Sequence, residues 1–167
     1  MKSILSRTLD GIVKALFFIG VLSGITMTLL ILISTLSRYL ANQPLSFSDE
    51  LAGLLFLSMA FNTLPYVLNT SGHISLNLLT NRLPAHLQVI FTIITASIFM
   101  AFAVVFSYQA WQFMEFSRAI QSRSDISEIL LWPWMALMPF SMALCILVEI
   151  KKVFFNQLAE NTEEISL

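Results

Sequence analysis

The sequence predicts an all-α membrane protein: four transmembrane helices, some tilted or kinked, with both termini cytoplasmic. Three observations predict it. Of the 167 residues, 57% are hydrophobic and only 11% are Asp, Glu, Lys or Arg, whereas a water-facing domain carries about 25% charged residues. The charged positions leave four long gaps, 15–37, 51–81, 83–114 and 129–148, each long enough for the roughly 20 apolar residues that cross a hydrocarbon core. With four crossings, Lys2, Arg7, Lys14, Arg82, Lys151 and Lys152 share one side, against Arg38, Arg118 and Arg123 on the other. Excess Lys and Arg marks the cytoplasmic face. The chain reads as one membrane domain over 1–155, with helices at about 12–37, 48–70, 85–113 and 130–150, and a polar acidic cytoplasmic tail over 156–167.

The first helix follows Lys2, Arg7 and Lys14, as a secretory signal would. Its apolar run exceeds a signal's core of about 7–15 residues and no A-x-A site follows, so it reads as a retained helix. Gly20 and Gly24 form a G-x-x-x-G pattern, which lets a neighbouring backbone approach closely. Arg38 closes the helix, where a cation complements the dipole. A short turn with Asn42, Gln43 and Pro44 leads to Ser48-Asp49-Glu50. There a hydroxyl can cap free N–H groups and two carboxylates sit at the positive dipole end. The same carboxylates suit an ion pair with Arg38, or contact with a partner.

Pro65 lies inside the second helix and cannot donate to the Phe61 carbonyl, so a kink is expected, with Asn62 and Thr63 near enough to help satisfy that group. Thr70-Ser71-Gly72 ends the helix. In the connector 72–84, His73, Asn77, Asn81 and Arg82 alternate with Ile74, Leu76, Leu78 and Leu79, a pattern suited to the membrane interface. The third helix, at roughly 42 Å, must tilt or protrude. The polar stretch 115–128 mixes loop with a helical turn. The fourth helix starts near Ser127 or Trp132 and ends at Lys151-Lys152, with Pro133 in its first turn or at a kink and Pro139 interior. Tyr39, Trp111, Trp132 and Trp134 fall at the outer interface, where aromatic belts form.

Chemistry-bearing motifs are sparse. No G-x-x-x-x-G-K or G-x-S-x-G pattern occurs, and His73 and His86 have no ligand partners at metal spacing. Cys145 stands alone in an apolar run, and a basic, aromatic-rich nucleic-acid surface is missing. An enzyme has little to stand on, and no cofactor is expected in this chain. The helix midsections carry hydroxyls and amides instead of charges: Thr26, Thr28, Asn62, Thr63, Thr92, Thr95, Ser97 and Ser141. These read either as helix-to-helix hydrogen bonds of about 0.6–2 kcal/mol each, or as a polar path in a self-contained oligomeric transporter or channel. Transporters place ionisable groups at mid-depth, and the midsections of all four helices lack Asp, Glu, Lys, Arg and His.

Taken in order, Arg38-Tyr39, Ser48-Asp49-Glu50-Leu51, Gly72-His73-Ile74, Leu83-Pro84, Trp111 and Trp132-Pro133 with Pro139 resemble the small, Q-type (DctQ-like) membrane subunit of TRAP, or tripartite ATP-independent periplasmic, transporters. The resemblance spans about 12–150. One departure is Phe47, where the family often has Trp before the acidic cap, so an indole N–H is lost. The resemblance implies a multi-pass protein of the bacterial inner membrane, set among membrane lipids, that acts as accessory scaffold to a large subunit. That subunit would carry the sodium and substrate sites and move as an elevator, in symport of an organic acid delivered by a periplasmic substrate-binding protein. C4-dicarboxylates and sialic acid are family substrates, and overall likeness points to sialic acid. On this reading Arg38, Asp49, Glu50 and His73 serve helix-end pairing and partner contact, and Trp111, Trp132 and Trp134 anchor the outer interface. The turn 38–50, or the segment 115–128 through Arg118 and Arg123, meets the binding protein.

Overall fold

A computed structural model describes residues 2–43, 45–71 and 85–164, with side chains over 7–43, 45–70, 90–91 and 93–152. Its helices are α1 (Lys2–Leu40), α2 (Ser48–Ser71), α3 (Ala85–Ala119), α4 (Trp132–Met135) and α5 (Leu137–Glu164). Four spans are long and apolar enough to cross a membrane: Arg7–Leu40, Ser48–Thr70, Ile93–Ala119 and Trp132–Lys152. Among the described residues the β structure is an isolated antiparallel bridge, Arg123 with Leu130.

The helices outrun the charge gaps. α1 begins at Lys2 instead of near 12, and α3 continues through Glu115 and Arg118 to Ala119. The stretch expected as a tail from 156 is helical to Glu164. A charge gap measures how much helix hydrocarbon can cover, whereas Lys, Arg, Glu, Gln and Leu are good helix formers wherever water takes over. The fourth span is broken, not continuous. Pro133 lies in the first turn of α4, and Pro139 is the third residue of α5. Pro139 was expected in the interior of one helix; it has no N–H to give the Met135 carbonyl, and the helix is interrupted at Ala136.

α5 is the centre of the assembly. It packs on α2 and α3, α2 packs in turn on α1, and α1 and α3 lie at opposite edges. The result is an open array instead of a ring closed round a core. Buried apolar side chains are accordingly few, and Met142, Leu144, Cys145 and Val148 of α5 supply most of them. On α3 the buried positions Ala103, Ala110 and Ser117 recur every seven residues, a small-residue seam that keeps one face toward α5 over several turns. Leu22, Ile98 and Val105 are each more than 60% exposed, a surface that only lipid or a partner helix can cover.

α1 and α2 approach closely at the two glycines. A Cβ on Gly20 would stand 2.7 Å from Thr63 Cγ2, and one on Gly24 would stand 2.6 Å from Met59 Sδ. Phe17 stacks on Tyr66 with centroids 4.2 Å apart along the same seam. Beside it runs a one-way chain of donors: Asn62 Nδ2 to Ser58 Oγ at 3.1 Å, Ser58 to Ser23 at 3.1 Å, and Ser23 to the Ile19 carbonyl at 2.9 Å. Ser23 has one proton and gives it to Ile19, so Ser58 must donate to Ser23. Pro65 is resolved differently from the sequence expectation. Asn62 and Thr63 bond elsewhere, and the freed Phe61 carbonyl accepts the hydroxyl of Ser141 from α5. Helix geometry alone offered only near neighbours, while packing brought a donor from 80 residues away.

Candidate functional site

Among the described residues, the charged side chains engaged in hydrogen bonds or ion pairs lie toward the two ends of the array. At the hairpin end, residues 120–131 link α3 to α4 as a closed loop. Ser122 N–H donates to the Ser117 carbonyl at 3.0 Å, Ser124 N–H to Ile129 at 3.0 Å, and Leu131 N–H to Ser122 at 3.1 Å. Gln121 and Glu128 take left-handed conformations, φ 52 and 51 degrees, to turn the chain. Glu50, in the first turn of α2, holds the tip of this loop. Its Oε1 accepts the Ile126 N–H at 2.9 Å, and its Oε2 accepts the Ser127 N–H at 2.9 Å and the Ser127 hydroxyl at 2.7 Å. Both oxygens of the carboxylate are engaged, and hydrogen bonds to an ionised acceptor are about twice as strong as neutral ones.

The neighbouring candidates are distributed round this clamp. Arg38 is exposed and, among the described residues, makes no ion pair with Asp49 or Glu50. Asp49 is exposed in the first turn of α2. Ser48 does not act as the cap expected of it. It is buried to 1% exposure, its hydroxyl donates to the Leu45 carbonyl at 2.7 Å, and its oxygen takes the proton of Ser34 at 2.7 Å. The entry to α2 is thereby tied to α1. Arg118 and Trp132 meet, with the guanidinium carbon 5.6 Å from the ring centroid, so the end of α3 is joined to α4 by a cation–π contact. Arg123 and Glu128 stand 3.8 Å apart with both side chains largely exposed, a pair worth about 0–1 kcal/mol. Trp111 is 56% exposed on α3 and Trp134 is half-buried in α4. His73 and the connector 72–84 lie outside the described residues.

The opposite end has a cluster of which the sequence reading used only Lys151 and Lys152, as orientation markers. Asp10 Oδ1 accepts Lys151 Nζ at 2.6 Å and Asn69 Nδ2 at 3.1 Å. Lys152 Nζ donates to the Leu68 carbonyl. α1, α2 and α5 are joined there through a carboxylate, two lysine ammonium groups, a side-chain amide and a main-chain carbonyl. A signal was available, because the crossing count already puts Asp10, Asn69 and Lys151 on one side. Nothing in their spacing says that they touch.

Between the ends, the described threonine hydroxyls are occupied locally. Thr26, Thr28 and Thr95 each donate to the carbonyl four residues back at 2.9 Å, and the side chain of Thr92 lies outside those described. The apolar groove between α1 and α2, around Gly24, Met27, Thr28 and Met59, is open along the surface of the array. Among the described residues no group of three His, Cys, Asp or Glu is arranged to hold a metal. Among the described residues the polar contacts at the two ends are linkages: carboxylates and lysines fasten helix ends. A family model described as tripartite ATP-independent periplasmic transporters, DctQ component, matches residues 27–159. No curated protein matches the chain.

Proposed function

Since the chain belongs to the DctQ-component family of tripartite ATP-independent periplasmic transporters, we propose that it is the scaffold that anchors and orients the large transport subunit in the membrane. The family is a component of an inner-membrane transporter, working with a large membrane subunit and a periplasmic binding protein, and is not an enzyme family. Four helices able to span the bilayer agree with that location. In the proposed arrangement the terminus end is cytoplasmic, following the excess of Lys and Arg, and the hairpin end is periplasmic. The large subunit carries the sodium and substrate sites, and the cargo is an organic acid, with sialic acid favoured over a C4-dicarboxylate.

The open array carries this reading. Among the described residues Asp10, Lys151, Lys152 and Glu50 fasten its elements to one another near the two ends, while both edge helices expose apolar side chains along their length. Such a slab is suited to stand still in lipid beside a moving partner. The rival reading, a self-contained oligomeric transporter or channel, needs Asn62 and its neighbours to line a path. Asn62 is 3% exposed and donates to Ser58 within the helix array.

Reconstitution tests the choice. Sodium-driven uptake of sialic acid into liposomes is expected only when this chain, the large subunit and the binding protein are all present. Uptake by this chain alone overturns the scaffold role.

A further inference from the structure

Residues 120–131 connect two spans and are mostly polar, yet they display Ile120 at 58% and Ile126 at 61% exposure outside the apolar spans. Ile126 is held from behind. Its N–H lies on one oxygen of Glu50, and both donors of the next residue lie on the other. Main-chain bonds across the loop already close it, so connecting α3 to α4 does not require a clamp from a residue 76 positions away. What the clamp adds is a fixed backbone beneath an exposed apolar side chain. A contact surface ordered in advance binds with less entropic loss than a mobile loop. Phe47, 42% exposed, precedes Glu50 by three residues, so the clamp brings a second exposed apolar side chain to the same end.

Charge indicates what the surface meets. Asp49, Glu50, Glu115, Asp125 and Glu128 outnumber Arg38, Arg118 and Arg123 over 38–50 and 115–128, and setting aside the mutual Arg123–Glu128 pair leaves the same acidic excess. An acidic rim is repelled by anionic lipid headgroups and is complementary to a basic protein surface. We propose that Glu50 is a positioning residue that presents Ile126, within this acidic rim, to a basic surface with an apolar pocket on the soluble binding protein. The inference rests on the scaffold reading and on the periplasmic placement of the hairpin.

The test uses the chain co-purified with its large subunit, in nanodiscs of phosphatidylethanolamine and phosphatidylglycerol, titrated with the binding protein. Ile126→Asp is expected to raise the Kd on the order of tenfold, Glu50→Gln severalfold and Ser127→Ala least, each with wild-type recovery of the large subunit. Ile126→Asp leaves the clamp intact, because Glu50 holds the main-chain N–H there, so it answers the question even if Glu50→Gln does not assemble. An unchanged Kd in Ile126→Asp overturns the inference. So does a loss confined to assembly in Glu50→Gln, with Kd unchanged in the complex that forms. A fluorophore at Ile126→Cys, in a Cys145→Ala background, that shifts to the blue in partner-free vesicles makes Ile126 a lipid anchor and also overturns it. If the wild-type chain does not co-purify with the large subunit, the scaffold reading falls first; if it does and only the Kd values stay flat, this inference alone falls.

Discussion

Each end of the helix array is fastened by one carboxylate, and the two carboxylates choose different partners. Asp10 takes a side-chain cation and an amide, Lys151 and Asn69, and so joins three helices without fixing any loop. Glu50 takes two main-chain N–H groups and a hydroxyl, and so sets the shape of the hairpin as well as its position. Side-chain pairs can re-form in slightly different geometry as helices shift, whereas a carboxylate on consecutive backbone amides tolerates one arrangement. The terminus end is built to stay together; the hairpin end is built to keep a shape.

Four experiments break or sharpen that contrast. The largest effect is expected from Gly24→Leu, which drives a side chain into Met59 and separates α1 from α2. Overpacking of this kind costs about 1–3 kcal/mol, and it should lower Tm in detergent and loosen the Asp10 cluster while sparing the Glu50 clamp, which does not involve α1. Glu50→Gln should come next, raising amide exchange at Ile126 and Ser127 on the order of tenfold, because one amide oxygen cannot replace two carboxylate oxygens. Protection elsewhere should hold. Asp10→Ala should cost about 1 kcal/mol in thermal unfolding: the Lys151 side chain is mostly covered, at 22% exposure, but Asp10 is half exposed and solvent screens the pair. High potassium chloride should have the smallest effect, weakening the wild-type Asp10–Lys151 pair by screening with little change in amide protection at Ile126. Equal salt sensitivity at the two ends would erase the distinction between them.

The fold was largely legible because hydrocarbon imposes a one-dimensional rule: a stretch without charge, long enough to cross, is a span. The clamp was legible only in part. Ser48-Asp49-Glu50 stood out as a helix start, and the capping explanation suited it so well that a partner 76 residues away was not required. Asp10 and Lys151 are separated by 141 positions, and Ser141 meets the carbonyl freed by Pro65 across 80. Local periodicity carries no information about such pairs. Helix extents were misread for a simpler reason, since charged residues end a membrane span without ending a helix.

By itself the sequence determined the number of spans, their grouping by side and the family resemblance, because these depend on which residues water and lipid accept at each position along the chain. Tertiary structure decided which helices touch, that the array stays open, and that Glu50 holds a loop instead of capping its own helix. Those outcomes follow from close approach between distant segments, where glycines admit a neighbour, a proline frees a carbonyl, and a buried or half-buried polar group takes whichever donor packing places within reach.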